Sequence, residues 1–139
     1  MKTLLAISLA FSALAVNVGL PASAAPTSTP SPKPADAVSQ YTGYLVDRSC
    51  AAQIKVDNKG SDPSPSLKKH TRHCSLEPSC CEAGYSLYSQ GKWFDLDAKG
   101  NELAKKIFEQ SKKESGHMFN ISGIFKRNEL RVASIAEAK

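Results

Sequence analysis

Apolar positions along the chain follow two periods, and the shorter one dominates after residue 40. Tyr41-Thr42-Gly43-Tyr44-Leu45-Val46-Asp47, Gly84-Tyr85-Ser86-Leu87-Tyr88 and Lys92-Trp93-Phe94-Asp95-Leu96 are rich in aromatic and branched residues that suit a pleated strand. Ser89-Gln90-Gly91 separates the last two and predicts a hairpin turn. Phe119, Ile121 and Phe125, then Leu130, Val132 and Ile135, mark a fourth and a fifth strand on either side of an Arg127-Asn128 turn. Helical spacing takes over between strands three and four. There Leu103, Ile107 and Phe108 recur in a segment running to Lys112, behind Asn101 as a candidate cap.

The predicted order is strand, long loop, strand, strand, helix, strand, strand. It specifies a mainly β (α+β) fold: a small five-stranded OB-like barrel with one helix between strands three and four. Closing the sheet also removes exposed strand edges from a small domain. A generic α+β sandwich is the competing architecture. The first connection, Arg48 to Ala83, holds the turn-forming cluster Asn58-Lys59-Gly60-Ser61-Asp62-Pro63-Ser64-Pro65 and reads as one long cysteine-bearing loop. A connection of that length in a small domain is expected to be functional or stapled.

Upstream of the strands the pattern changes twice. Lys2, an apolar run from Leu4 to Val18 and the small residues Ala22 and Ala24 predict a cleavable signal peptide over residues 1–24. The apolar run is shorter than the roughly 20 residues a spanning helix needs, so no membrane span is expected after cleavage. Residues 25–39 form a Pro/Ser/Thr-rich leader in which Pro26, Pro30, Pro32 and Pro34 prevent regular hydrogen bonding. Residues 40–139 remain for one domain with one modest core. These features predict a periplasmic or secreted protein.

The net charge of +5 is spread along the chain and selects no partner. The four cysteines change the picture more, because Cys50, Cys74, Cys80 and Cys81 all fall on the long loop or at its end. In an exported protein they are candidates for disulfides that pin the loop, each bridge worth about 2–4 kcal/mol. A ring closed between adjacent Cys80 and Cys81 would be strained, so each is expected to face a different partner, such as Cys50 or Cys74. The alternative is a metal site, zinc or copper, built from Cys50, His70, Cys74 and Cys80, with His73 or Cys81 assisting. His70 and Cys74 are four apart, a spacing that one helical turn would align. His70 and His73 also read as exposed members of a basic run with Lys68, Lys69 and Arg72.

A third reading is a thiol-dependent enzyme with a cysteine activated by those cations. No paired C-x-x-C motif, nucleophile elbow, metalloprotease helix or phosphate-binding glycine loop accompanies the cysteines, and Asp47, Glu77 and Glu82 have no spacing that marks an acid and base pair. Enzymatic activity is therefore not the expected role. Tyr41, Tyr44, Tyr85, Tyr88 and Trp93 could stack nucleic-acid bases, but several are expected in the core and the predicted export argues against such a ligand. A protein, glycan or metal ligand fits better. His117 stands alone ahead of strand four and is expected at the surface.

The residues Gly43-Tyr44-Leu45-Val46-Asp47-Arg48-Ser49-Cys50, then His70, Cys74 and Cys80, then Gly84-Tyr85 and Ser122-Gly123, carry a resemblance. In that order they resemble small exported bacterial proteins of uncharacterised function with OB-like folds, over Tyr41 to Ile135. Cys50, His70, Cys74 and Cys80 match the pattern; His73 and Cys81 look like additions. The resemblance implies a fold and an exported location, and it implies no activity.

Overall fold

The computed structural model describes residues 37–139; the predicted signal peptide and the leader up to residue 36 lie outside the described residues. The first described element is β1 (Ser39–Asp47), followed after a helical insertion by β2 (Tyr85–Ser89), β3 (Lys92–Leu96), β4 (Met118–Lys126) and β5 (Glu129–Glu137). They close into a barrel in the order β1-β2-β3-β5-β4. The pairs are antiparallel except β3 with β5, which run parallel. This is the small mainly β, OB-like barrel that the order of apolar segments predicts.

Alternation along each strand sends one set of side chains inward. Leu45, Leu87, Leu96, Phe119, Ile121, Leu130 and Val132 meet there. The helix between β3 and β4 adds Ala104 and Phe108 to the same core, and Phe108 stacks against Tyr85 at 5.3 Å between ring centres. That helix spans Ala98–Gln110, and its cap is Asp97 rather than Asn101, with the Asp97 carboxylate accepting from Gly100 N at 2.9 Å. Asn101 sits one turn further along and accepts instead from Tyr85 N at 2.9 Å, fixing the start of β2.

The connection between β1 and β2 is folded, in place of the irregular loop expected from its turn formers. It contains α1 (Arg48–Asp57), α2 (Ser64–Lys69), α3 (Arg72–Leu76) and α4 (Pro78–Ala83), so the helix after β3 is α5. Both ends of the insertion leave adjacent strands: Asp47 pairs with Tyr85, and Arg48 N donates to Gly84 O at 2.8 Å. Gly84 makes that junction at φ +81°, a conformation other residues adopt at a cost.

The insertion packs on Val46, which β1 turns away from the barrel interior. Val46, Ala51, Ile54 and Leu67 form a second small core, edged by Tyr44, Tyr88 and Trp93. The strap between α5 and β4 grips the insertion from its other side, through Arg72 N to Glu114 O at 2.8 Å and Gly116 N to His70 O at 3.1 Å. His117 on this strap is a correction to the sequence reading. Its ring is 2% exposed, packs edge-on against Phe108 and bonds Glu137 Oε1 through Nδ1 at 2.8 Å.

Candidate metal centre

Three helix starts meet at one end of β1. Asp47 ends the strand and caps α1, its Oδ1 accepting from Cys50 N at 2.8 Å. Thr71 caps α3 in the same manner, its Oγ1 accepting from Cys74 N at 3.2 Å. α4 begins at Pro78, a residue suited to a helix start because it has no N–H to satisfy. Cys50, Cys74 and Cys80 are thus each the third residue of a helix. Asp-x-x-Cys, Thr-x-x-Cys and Glu-x-x-Cys are local sequences that place a thiol in the first turn.

The result is a cluster drawn from four elements. One ligand atom from each of Asp47, Cys50, Cys74 and Cys80 lies within 4.8 Å of all the others. Asp47 is fully buried and the cysteines are partly exposed. All four cysteines are free: Cys50 Sγ and Cys74 Sγ are 3.3 Å apart, well beyond a disulfide bond of about 2.05 Å.

Of the sequence candidates, Cys50, Cys74 and Cys80 come together. Cys81 does not join them, because its neighbour Cys80 faces the cluster and successive helical residues point about 100° apart. Its Sγ instead approaches Ser75 O and Tyr85 Oη, each at 3.5 Å. His73 also lies outside, with a side chain 87% exposed and paired to Glu77 at 2.9 Å. His70 is adjacent but already engaged. Its Nε2 donates to Asp47 Oδ2 at 3.0 Å, and its Nδ1 lies 3.4 Å from Ser75 Oγ. It ends α2 rather than sharing a helix with Cys74, so the four-residue spacing does not align the two side chains.

Asp47 is the site residue that the sequence reading passed over as a ligand. Its position three residues before Cys50 is the local signal of a helix cap; nothing local announces that Cys74 and Cys80 return to the same carboxylate.

The electrostatics follow from this crowding. Burial pushes the Asp47 carboxyl upward, but the bonds from His70, from Cys50 N and from the Cys50 and Cys80 thiols outweigh it and hold the group at about 2. The carboxylate has the opposite effect on the sulfurs. Burial first, then the Cys74 thiol and the Asp47 charge, push the Cys50 thiol far up. Cys80 is pushed up to about 11, by burial and then by Asp47. Without a cation both thiols hold their protons, the reverse of what a nucleophilic cysteine requires.

Comparison of the chain with known protein families, with curated proteins and with solved structures finds no match.

Proposed function

We propose that the chain is an exported, single-domain binding module whose helical insertion is stapled by one zinc ion held by Cys50, Cys74, Cys80 and Asp47. The observation that carries this reading is the convergence of three sulfurs and a buried carboxylate oxygen, from four separate elements, within 4.8 Å. Thiolates alone would suit copper(I) as well as zinc. The carboxylate, and the negative charge of three thiolates beside it, favour a divalent borderline ion. Four protein ligands complete a tetrahedron, the arrangement of structural rather than catalytic zinc. His70 then serves as the outer partner that orients Asp47. Export rests on the sequence of residues 1–24, and among the described residues no helix is long and apolar enough to cross a membrane.

A Cys50–Cys74 disulfide is the second reading, favoured by the 3.3 Å approach of those sulfurs. Zinc–sulfur bonds of about 2.3 Å put tetrahedral thiolates about 3.8 Å apart, a smaller adjustment from the observed spacing than closure to a bond of about 2.05 Å.

The test is elemental analysis and intact mass of the mature protein purified without chelator, with alkylation before and after reduction. One zinc per chain, with Cys50, Cys74 and Cys80 protected until chelator is added, is the expected result. A metal-free protein whose Cys50 and Cys74 react only after reduction overturns it in favour of the disulfide. One copper in place of zinc overturns the choice of ion.

A further inference from the structure

The outer face of β1, β2 and β3 carries an aromatic row in register. Tyr44 stands opposite Tyr88 on the neighbouring strand, and Tyr88 opposite Trp93 on the next. The Tyr88 and Trp93 rings lie 5.0 Å apart and tilted by 51°. One side of the row packs on the small core under α1. The rest borders two clefts of about 280 and 300 Å³ that share Tyr88 and Gly91 and so adjoin across the β2–β3 turn.

The walls of the two clefts differ in charge. The first is closed by α1 and the turn behind it, with Lys55, Asn58, Lys59 and Ser61, and the Lys55 ammonium sits 4.8 Å from the centre of the Trp93 ring. The second is walled by Thr42, Asp62, Ser64 and Gln90, and among the described residues no lysine or arginine lines it. Aromatic faces suit the C–H face of a sugar ring, and amide and hydroxyl groups beside them suit its rim of hydroxyls. Two ammonium groups in one cleft suit one carboxylate.

We propose that the paired clefts bind a short acidic oligosaccharide, an acidic ring beside Trp93 with its carboxylate drawn to Lys55 and Lys59, and a neutral ring over the neighbouring Tyr44 and Tyr88. A single-stranded nucleic acid is the competing ligand for an aromatic row. It carries a phosphate at every residue and needs a continuous basic track, whereas the second cleft offers Asp62 and uncharged groups. The inference is independent of which ion, if any, the cysteine cluster holds. α1 nevertheless links the two sites, with Cys50 in its first turn and Lys55 in its last.

Trp93 is the single tryptophan of the chain, so its fluorescence reports the first cleft alone. The probe is a tetrasaccharide of alternating glucuronate and N-acetylglucosamine, titrated into the protein as purified, with cellotetraose and a thymidine hexanucleotide as comparisons. A saturable change with a dissociation constant of about 1 mM or tighter is expected for the acidic probe. Both comparisons should bind at least about tenfold more weakly, and Lys59→Gln should weaken the acidic probe by about tenfold. Lys59 is exposed, so this variant is expected to fold, and an unchanged circular dichroism spectrum checks that it has. No saturable change up to about 10 mM, equal binding of the neutral sugar, tighter binding of the hexanucleotide, or indifference to Lys59→Gln each overturns the proposal. Metal content measured on the same sample keeps this outcome separate from the fate of the zinc reading.

Discussion

The barrel and its insertion are held by different forces. Every strand of the barrel is hydrogen-bonded to two neighbours, and the strands surround a core of large apolar side chains closed by Phe108 of α5. The insertion is four short helices. α1 buries Ala51 and Ile54, α2 buries Leu67, α3 buries Ser75, and α4 has no buried residue. Helices of five to ten residues are marginal by themselves, and these four bring little apolar area to offset the entropy of ordering them. The zinc proposed at Asp47 would supply what packing does not, and would do so where α3 and α4, which contribute least to the apolar core, begin. On that proposal a small domain carries a large ordered insertion by adding a polar cross-link to a second core of only four buried residues.

The contrast is broken most severely from the barrel side. Phe119→Ala removes a fully buried ring that contacts Phe108 at 5.3 Å, and is expected to destabilise the whole domain by about 3–5 kcal/mol. Chemical denaturation with and without chelator checks it: the loss should be similar in both conditions, because the ring is not part of the cluster.

Removing the cross-link should have a more local effect. In Cys74→Ser, or after chelation, hydrogen exchange within residues 48–83 is expected to accelerate by about a hundredfold, equivalent to about 3 kcal/mol, while the β4 and β5 amides keep their protection. Uniform acceleration across barrel and insertion would show that the two regions are one cooperative unit. The same variant binding zinc as tightly as the parent would remove Cys74 from the centre.

The same division explains what could be read from the sequence. All five strands were legible because alternation of large apolar residues survives even in short segments, and α5 because Leu103, Ile107 and Phe108 recur over more than one turn. The four inserted helices were not. Their apolar positions are too few to establish a period, and the turn formers from Asn58 to Pro65, of which Asn58 to Pro63 are a true turn and Ser64-Pro65 open α2, colour the whole stretch as loop. Cys50, Cys74 and Cys80 were legible as chemistry, by residue type. Their union with Asp47 was not, since it depends on where three helix starts point after the chain has folded. His117 misled for a related reason: a lone histidine in a polar linker reads as exposed, and its partner Glu137 lies at the far end of β5.

Protons offer a weaker way to separate the regions. Asp47 is held at about 2 against an ordinary 3.8, so it contributes stability at neutral pH that is lost as pH falls from about 4 to about 2. The amount is on the order of 2 kcal/mol. Cys80 works in the other direction in the metal-free protein. Its protonated form is favoured, so stability present below about 9 falls as pH rises toward about 11. Zinc binding requires the thiolates and releases their protons, so the loaded protein should instead gain affinity as pH rises. Stability curves of the two forms should diverge above neutrality; parallel curves would sink the assignment of these thiols to a metal.

The finest test compares the two neighbouring histidines. Nε2 of His70 is committed to Asp47 and its side chain is buried, so His70→Ala leaves Asp47 Oδ2 without its partner, while Oδ1 keeps the bond from Cys50 N. Loss of such an outer partner typically weakens a metal site by about 10–100-fold. His73 sits three residues on, in the first turn of α3 beside Cys74, yet its side chain is exposed and bonded only to Glu77. His73→Ala should leave zinc affinity unchanged and alter stability by no more than about 0.5 kcal/mol. Competition with a chromophoric chelator measures both variants on one scale. If His73→Ala weakened zinc as much as His70→Ala, an imidazole would be a ligand and Asp47 would be left as a helix cap alone. The expected gap separates His70, bonded to the carboxylate that lies beside the three sulfurs, from His73, bonded to Glu77 outside the cluster.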